Sequence, residues 1–260
     1  MRGSFGPVLK ELTCINPSYI CKGCFAKDKC LYYEFYEDQT AYRYFRFEVG
    51  IANRSYDFGM VLFFDEHRKE ELQTIIDALM KMLTQHGVGE KPPVLFPKST
   101  LQLTSLSVNA IDQQFTPSSS YKIIIHLLTP CILKSSQGRI QKEISVEEIL
   151  LSIYKRKLFF KSHKKHHTLP YQPSYKLIEK KFNSDVKTSR VSNRQHKKMV
   201  LTGIMGRLEV ADLDPKSYAL LKHGEFLGVG NKTALGYGRI KIEISHRQQL
   251  KKVSKRKITS

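Results

Sequence analysis

The segment Gly228-Val-Gly230-Asn-Lys-Thr-Ala-Leu-Gly236-Tyr-Gly238-Arg239 puts four glycines into eleven residues, with Lys232 and Thr233 between them and Arg239 behind. Glycine lets a backbone come very close to another group, and exposed N–H groups beside cations suit a phosphate. The two common glycine-rich nucleotide cradles need a strand before the loop and a helix after it. Here a helix precedes and a strand follows, so neither applies, and a tight turn feeding the last strand is the alternative to a phosphate contact. A second group is Cys14, Cys21, Cys24 and Cys30, spaced six, two and five residues apart. Four thiolates hold a tetrahedral zinc, and Cys-x-x-Cys is the usual half-site. Only one pair has that spacing, so a structural zinc stands beside free thiols or a disulfide as the reading of this cluster. Lys22, Lys27 and Lys29 are expected to lower its thiol pKa values. Histidine suits proton transfer near neutral pH, and nine are present. His126 lies in an apolar strand and reads as a core residue. His67 and His86 fall at helix ends, and His163, His166 and His167 lie in a basic stretch.

The charge points to an acidic partner. Forty-three Lys and Arg against 24 Asp and Glu leave +19 over 260 residues. Residues 155–198 hold 14 cations and only two acids, Glu179 and Asp185, and residues 246–260 add six cations and no acid. In the central stretch Tyr154, Phe159, Phe160, Tyr171, Tyr175 and Phe182 are interleaved with the cations. Aromatic faces that stack bases, beside cations that hold phosphates, suit single-stranded nucleic acid. No apolar run is long enough to span a membrane, and Met-Arg-Gly-Ser-Phe-Gly does not open a secretory signal. Five cysteines in such a chain suggest reduced thiols or a metal site over a disulfide framework. The expectation is a soluble cytoplasmic protein without a small-molecule substrate.

The elements that must position these groups follow from apolar spacing. Residues 42–50 and 59–64 read as strands. Asp65 offers an N-cap to a helix through Leu72, Ile75, Ile76, Leu79, Met82 and Leu83, stopped by Gly87. Residues 101–110 suggest a further strand, and Thr116-Pro-Ser-Ser-Ser120 a boundary. Lys122 to Leu128 is a core strand. Ser145-Val-Glu-Glu148 is a capping box opening a helix through Ile149, Leu150, Ile153, Lys157 and Phe160. A basic, irregular stretch is expected next, then a strand from Met199 to Val210. Asp214-Pro215 opens a short helix ended by Gly224, and Ile240, Ile242 and Ile244 alternate with polar residues in a last strand. Each half therefore reads as strand, helix, strand, an α+β chain of two tandem ferredoxin-like (RRM-like) units. The expected division is 1–117 with the Cys-rich segment, 118–246 with the glycine loop, and a basic tail 247–260.

The order of motifs carries a resemblance. Gly-hydrophobic-Gly, five residues, Gly-hydrophobic-Gly near the end resembles the signature of the RAMP superfamily of CRISPR proteins. Arg2-Gly3-Ser-Phe-Gly6 through Cys14, with Cys21, Cys24, Cys30 and Tyr32, is similar to the start of CRISPR repeat-processing endoribonucleases, the sixth Cas family. Leu128-Thr-Pro130-Cys-Ile-Leu-Lys134 resembles that family's Thr-Pro strand. Ser192-Asn-Arg194-Gln195 and Leu201-Thr-Gly203-Ile-Met-Gly206 resemble its Ser-x-Arg-Gln segment and Gly-x-x-Gly strand. Leu150 to His163 resembles its helix ending in a phenylalanine–histidine motif, with Lys161 and Ser162 inserted here.

The resemblance implies an endoribonuclease that cuts CRISPR precursor RNA within its repeats without a metal. A 2′-hydroxyl would attack the adjacent phosphate, giving a 2′,3′-cyclic phosphate. That chemistry needs a base, an acid and cations around the phosphorane. His163 and His86 are the candidates for proton transfer, and no cofactor is needed. Ser192, Arg194, Gln195, Gly228, Gly230, Lys232, Thr233, Gly236, Gly238 and Arg239 are the candidate RNA contacts. Expected partners are the repeat RNA, as precursor and mature crRNA, and an interference complex. A RAMP subunit that holds crRNA without cutting it would share the glycine loop and the basic belt.

Overall fold

The computed structural model describes residues 1–38, 42–49, 58–64, 68–89, 92–98, 100–105, 121–134, 140–162, 167–192 and 197–246. The Asp65 cap, His67, residues 106–110, the 116–120 boundary and the 247–260 tail lie outside them.

The first half opens with a helix that its sequence disguises. α1 spans Arg2–Thr13 and contains Gly3, Gly6 and Pro7, residues with poor helix propensity. Packing overrides propensity here. Phe5, Val8 and Leu9 are fully buried, and a Cβ at Gly6 would stand 2.6 Å from the Tyr36 ring. β1 (Phe45–Val49) and β2 (Phe58–Leu62) pair antiparallel as a hairpin. α2 spans Lys69–Lys81 and continues into one wider turn, Met82–His86. Ile75, Ala78, Leu79, Met82 and Leu83 form its buried stripe, at the spacing one helix face requires. Gly87 then ends it at φ 75°. Residues 101–105 are in no strand, contrary to the sequence expectation.

The second half is a four-stranded antiparallel sheet with two helices. β3 (Tyr121–Cys131), α3 (Val146–Ser162), β4 (Lys176–Ser192), β5 (Lys197–Ala211), α4 (Pro215–Leu227) and β6 (Ile240–His246) follow in chain order. The strands lie in the order β4-β5-β3-β6, the ferredoxin-like arrangement that the element order implied. Reciprocal bonds between Ser145 and Glu148 start α3. Asp214 caps α4 through the Ser217 amide, with Pro215 at the first helical position.

The basic stretch expected to be irregular is instead β4, a strand of 17 residues. Phe182, Val186 and Thr188 turn partly inward while Lys181, Lys187 and Ser189 face solvent. The alternation is that of an edge strand, and edge lysines guard against further pairing. Buried apolar residues gather in two clusters. One draws on Phe5 to Leu83 with Ala234, the other on Ile123 to Ile242.

Candidate nucleic-acid interface

The glycine loop is tied to β3 where that strand leaves register. Pairing with β5 shifts between Leu127 and Cys131, and Pro130, which has no N–H to give, sits inside this bulge. Its free groups go to the loop. The Leu128 amide donates to the Arg239 carbonyl at 2.8 Å, and the Thr129 hydroxyl oxygen accepts from the Arg239 amide at 2.9 Å. The Gly238 amide donates to Pro130 O at 3.0 Å and the Asn231 amide to Ile132 O at 2.8 Å. Val229 then closes the loop on itself by donating to Gly238 O at 2.8 Å.

Four positive φ angles, between 67° and 91° at Gly228, Gly230, Gly236 and Gly238, make this path possible. A Cβ at Gly230 would stand 2.6 Å from Ile132 O, and one at Gly238 would overlap Val229 O. The glycines are therefore buried and shape the loop, as the tight-turn reading had it. The amides of Val229, Gly230, Asn231, Gly238 and Arg239 are already engaged inside the protein. Asn231 and Lys232 are exposed at the loop's outer edge, and Thr233 and Arg239 are half-buried. Lys232 itself is left-handed, φ 64°. The Lys232 and Thr233 amides carry no hydrogen bond among the described residues.

Arg156 anchors the loop from beneath. Only 3% exposed, it donates to Leu227 O (2.9 Å), Gly228 O (2.7 Å) and Gly230 O (2.8 Å). Its guanidinium lies 5.0 Å from the centre of the Tyr42 ring. Ser152, one turn earlier on α3, accepts from the Gly230 amide at 2.8 Å. Burial pushes the Arg156 pKa down to about 10. The sequence reading carried the apolar stripe of α3 through Lys157 and Phe160, whereas Arg156 and Phe159 take the buried positions. The available signal was that Arg156 stands three residues after Ile153, on the stripe's own face.

The two halves meet beside this loop. Arg46 of β1 is 1% exposed and donates to Glu225 O of α4 at 2.9 Å and to Glu48 Oε1 at 2.5 Å. The same Glu48 oxygen stands 3.6 Å from Arg239 Nε. Burial lowers the Arg46 pKa, against the opposing pull of Glu48. Farther along the seam, Phe159 and Phe160 of α3 pack on Tyr42, Tyr44 and Phe63. The β4–β5 hairpin reaches the loop through a hydroxyl–hydroxyl bond between Thr188 and Tyr237.

The remaining predicted residues fall in separate places. His86 stands 3.4 Å from Glu11, which also binds Lys81, so it joins α1 to the end of α2. His126 is no core residue; it lies on the open sheet face with Glu243 at 2.9 Å. Among the described residues the buried histidine is His223 on α4, 2.6 Å from Lys157 Nζ, and the sequence reading did not single it out. His163, Arg194 and Gln195 lie outside the described residues, and Ser192 is the last residue of β4. Cys14, Cys21, Cys24 and Cys30 are free thiols. Among the described residues no three His, Cys, Asp or Glu side chains stand close enough to hold a metal ion. Burial raises the Cys21 thiol despite Lys10 beside it, so the expected lysine effect does not prevail there. Cys131 is buried as expected and pushed up to about 12.

Residues 125–240 match the family model described as CRISPR-associated endoribonuclease Cas6. The chain is also similar in fold to solved structures. A Cas6 product complex gives a TM-score of 0.53 at 17% identity, covering 80% of this chain and 84% of that one. A second Cas6 product complex, of the Thermus thermophilus protein, gives 0.57 at 13% identity, covering 93% and 90%. No curated protein matches the chain. The matched segment begins in β3 and ends at the first residue of β6, so it contains the Thr-Pro bulge, Arg156 and the whole glycine loop.

Proposed function

We propose that this chain, Cas6-like by family over its second half and by fold over most of its length, is an endoribonuclease that processes CRISPR repeat RNA by internal attack of a 2′-hydroxyl. The 2′ oxygen bonds to the adjacent phosphorus and the P–O5′ bond breaks. A base removes the 2′ proton and an acid protonates the departing 5′ oxygen. The products are a 2′,3′-cyclic phosphate and a 5′-hydroxyl, and no metal takes part.

The observation that carries this reading is the knot of Arg156, the Thr129-Pro130 bulge and the glycine loop. It ties down the backbone on both sides of Lys232 and Thr233, and the Arg239 amide, so that these residues are presented at the loop's edge. Preformed cations and unengaged amides are what a phosphodiester backbone and a developing phosphorane require. The exposed Lys181 and Lys187 of β4 supply further cations for the RNA backbone, and Ser192, Arg194 and Gln195 are proposed as contacts from their sequence motif alone.

His163 is the proposed proton-transfer residue, since it directly follows α3. Arg156 stands on the same helix, and Ser162 is about 9 Å farther along the axis at 1.5 Å per residue. His86, oriented by Glu11, is the second candidate. The protein acts in the cytoplasm and passes its product to an interference complex.

The test is to incubate the protein with a repeat RNA from its own genome in excess EDTA and to identify the 3′ ends of the products. Site-specific cutting that leaves cyclic phosphates, lost in His163→Ala or in His86→Ala, supports the account. Tight binding without cutting would make the chain a crRNA-holding subunit, and cutting abolished by EDTA would contradict the metal-free route.

A further inference from the structure

A cleft of about 310 Å3 opens between the first-half hairpin and the second half, lined by Glu48, Val61, Leu128, Phe226, Arg239 and Lys241 among others. Its volume is at the lower end for small-molecule pockets, enough for a single base. Val61, Leu128 and Phe226 supply an apolar wall, and Leu128 is 38% exposed although it sits in a core strand. Its charged groups are Glu48, Glu225, Arg239 and Lys241; Glu225 is taken up by Lys222 and the Ile242 amide, while Glu48 and Arg239 stand side by side at 3.6 Å.

Their engagement is one-sided. Both arginines, Arg46 and Arg239, approach Glu48 through Oε1. Oε2 carries no hydrogen bond among the described residues. Opposite it in the β1–β2 register stands Gly59, whose missing side chain leaves room, since a Cβ there would come within 3.3 Å of that oxygen. Arg239 meets Glu48 through Nε, which leaves its two terminal nitrogens available at a side chain 38% exposed. Arg46 reaches Glu48 through Nη2, and among the described residues its Nε and Nη1 are buried without a hydrogen-bond partner. The carboxylate is thus fixed through Oε1, and Glu48 lines the cleft.

We propose that this cleft is a guanine subsite for the RNA, resting on the function proposed above. Along its edge guanine presents N2–H and N1–H as adjacent donors, then O6 and N7 as adjacent acceptors. A carboxylate beside a guanidinium presents acceptors followed by donors, the complementary order. Adenine, cytosine and uracil each break that sequence of two donors and two acceptors. Single-stranded RNA offers unstacked bases for such reading, and Lys241 at the rim suits the adjoining phosphate.

The test is a scan of a bound repeat RNA in which each guanosine in turn is replaced by inosine, which lacks the N2 amino group. One position should weaken binding about tenfold, within the usual range for one base contact. In Glu48→Gln the guanosine–inosine difference at that position should vanish. Arg239→Lys keeps the charge but loses the planar fork, and should in the same way erase discrimination against 7-deazaguanosine there. Thermal unfolding of both variants checks that they fold. Tight binding with no inosine-sensitive position, or a sensitivity unchanged in both variants, would overturn the subsite while leaving the RNA function standing. No binding of repeat RNA at all would overturn both.

Discussion

Replacing Arg156 by Met is the sharpest test of how the glycine loop is held. The variant keeps a long unbranched chain but strips Leu227, Gly228 and Gly230 of the donor to their carbonyls. Hydrogen bonds from a charged donor contribute roughly 1.5–3 kcal/mol each, so the three represent about 4–9 kcal/mol. Burying the guanidinium works the other way. Its fall from 12.5 to about 10 corresponds to on the order of 3 kcal/mol, at about 1.4 kcal/mol per pH unit. The balance is a net loss of about 1–6 kcal/mol, against about 5–15 kcal/mol for a domain of ordinary stability. Urea denaturation should show the lower midpoint, and amide exchange over 228–238 should speed up while that of β3 and β5 stays slow. Arg156→Lys should recover only part of the loss, because an ammonium cannot reproduce the planar fork. An unchanged midpoint with unchanged exchange in the loop would refute the assignment of Arg156 as its anchor.

Gly238→Ala forces a side chain into Val229 O at φ 67°, and should destabilise the protein by about 1–3 kcal/mol while weakening repeat-RNA binding in a filter assay. Asp214→Ala removes the α4 cap and its bond to the Ser174 amide, at a cost of about 1–2 kcal/mol. Burial alone would raise the Asp214 carboxyl, but the amides of Ser174, Ser217 and Lys216 more than reverse this and its native pKa lies below the ordinary value. Its stabilisation is therefore present at neutral pH and lost as pH falls below about 4, so the gap between wild type and variant should narrow there. Titration of the native protein with a thiol reagent should find four reactive cysteines, with Cys131 reacting only in denaturant. Fewer than four, restored by a chelator, would place a metal on the Cys14–Cys30 segment.

The parts of the fold legible in the sequence were those written by local rules. The Ser145/Glu148 box, the Asp214-Pro215 cap and the alternation of Ile240 and Ile242 each state their element within a few residues. Their order gave the ferredoxin-like second half. α1 was hidden because Gly3, Gly6 and Pro7 argue against a helix, and only contact with Tyr36 explains Gly6. β4 was hidden by its lysines, whose alternation with Phe182 and Val186 is weaker than an apolar run. The glycine loop was found, but its burial was not, since that depends on the Ile132 and Val229 carbonyls approaching it. Arg46 and Arg156 were missed for a related reason. A buried arginine is identified by the distant carbonyls it serves, and neither Glu225 nor Gly228 is near them in sequence.

The central claim is that the RNA's own 2′-hydroxyl is the nucleophile. It is tested most directly with two repeat RNAs that differ by one oxygen, the second carrying a 2′-deoxy nucleotide at the cut site. The account predicts that both bind equally well, that only the all-ribose RNA is cleaved, and that EDTA changes neither result. Cleavage of the deoxy substrate at the same bond would contradict it.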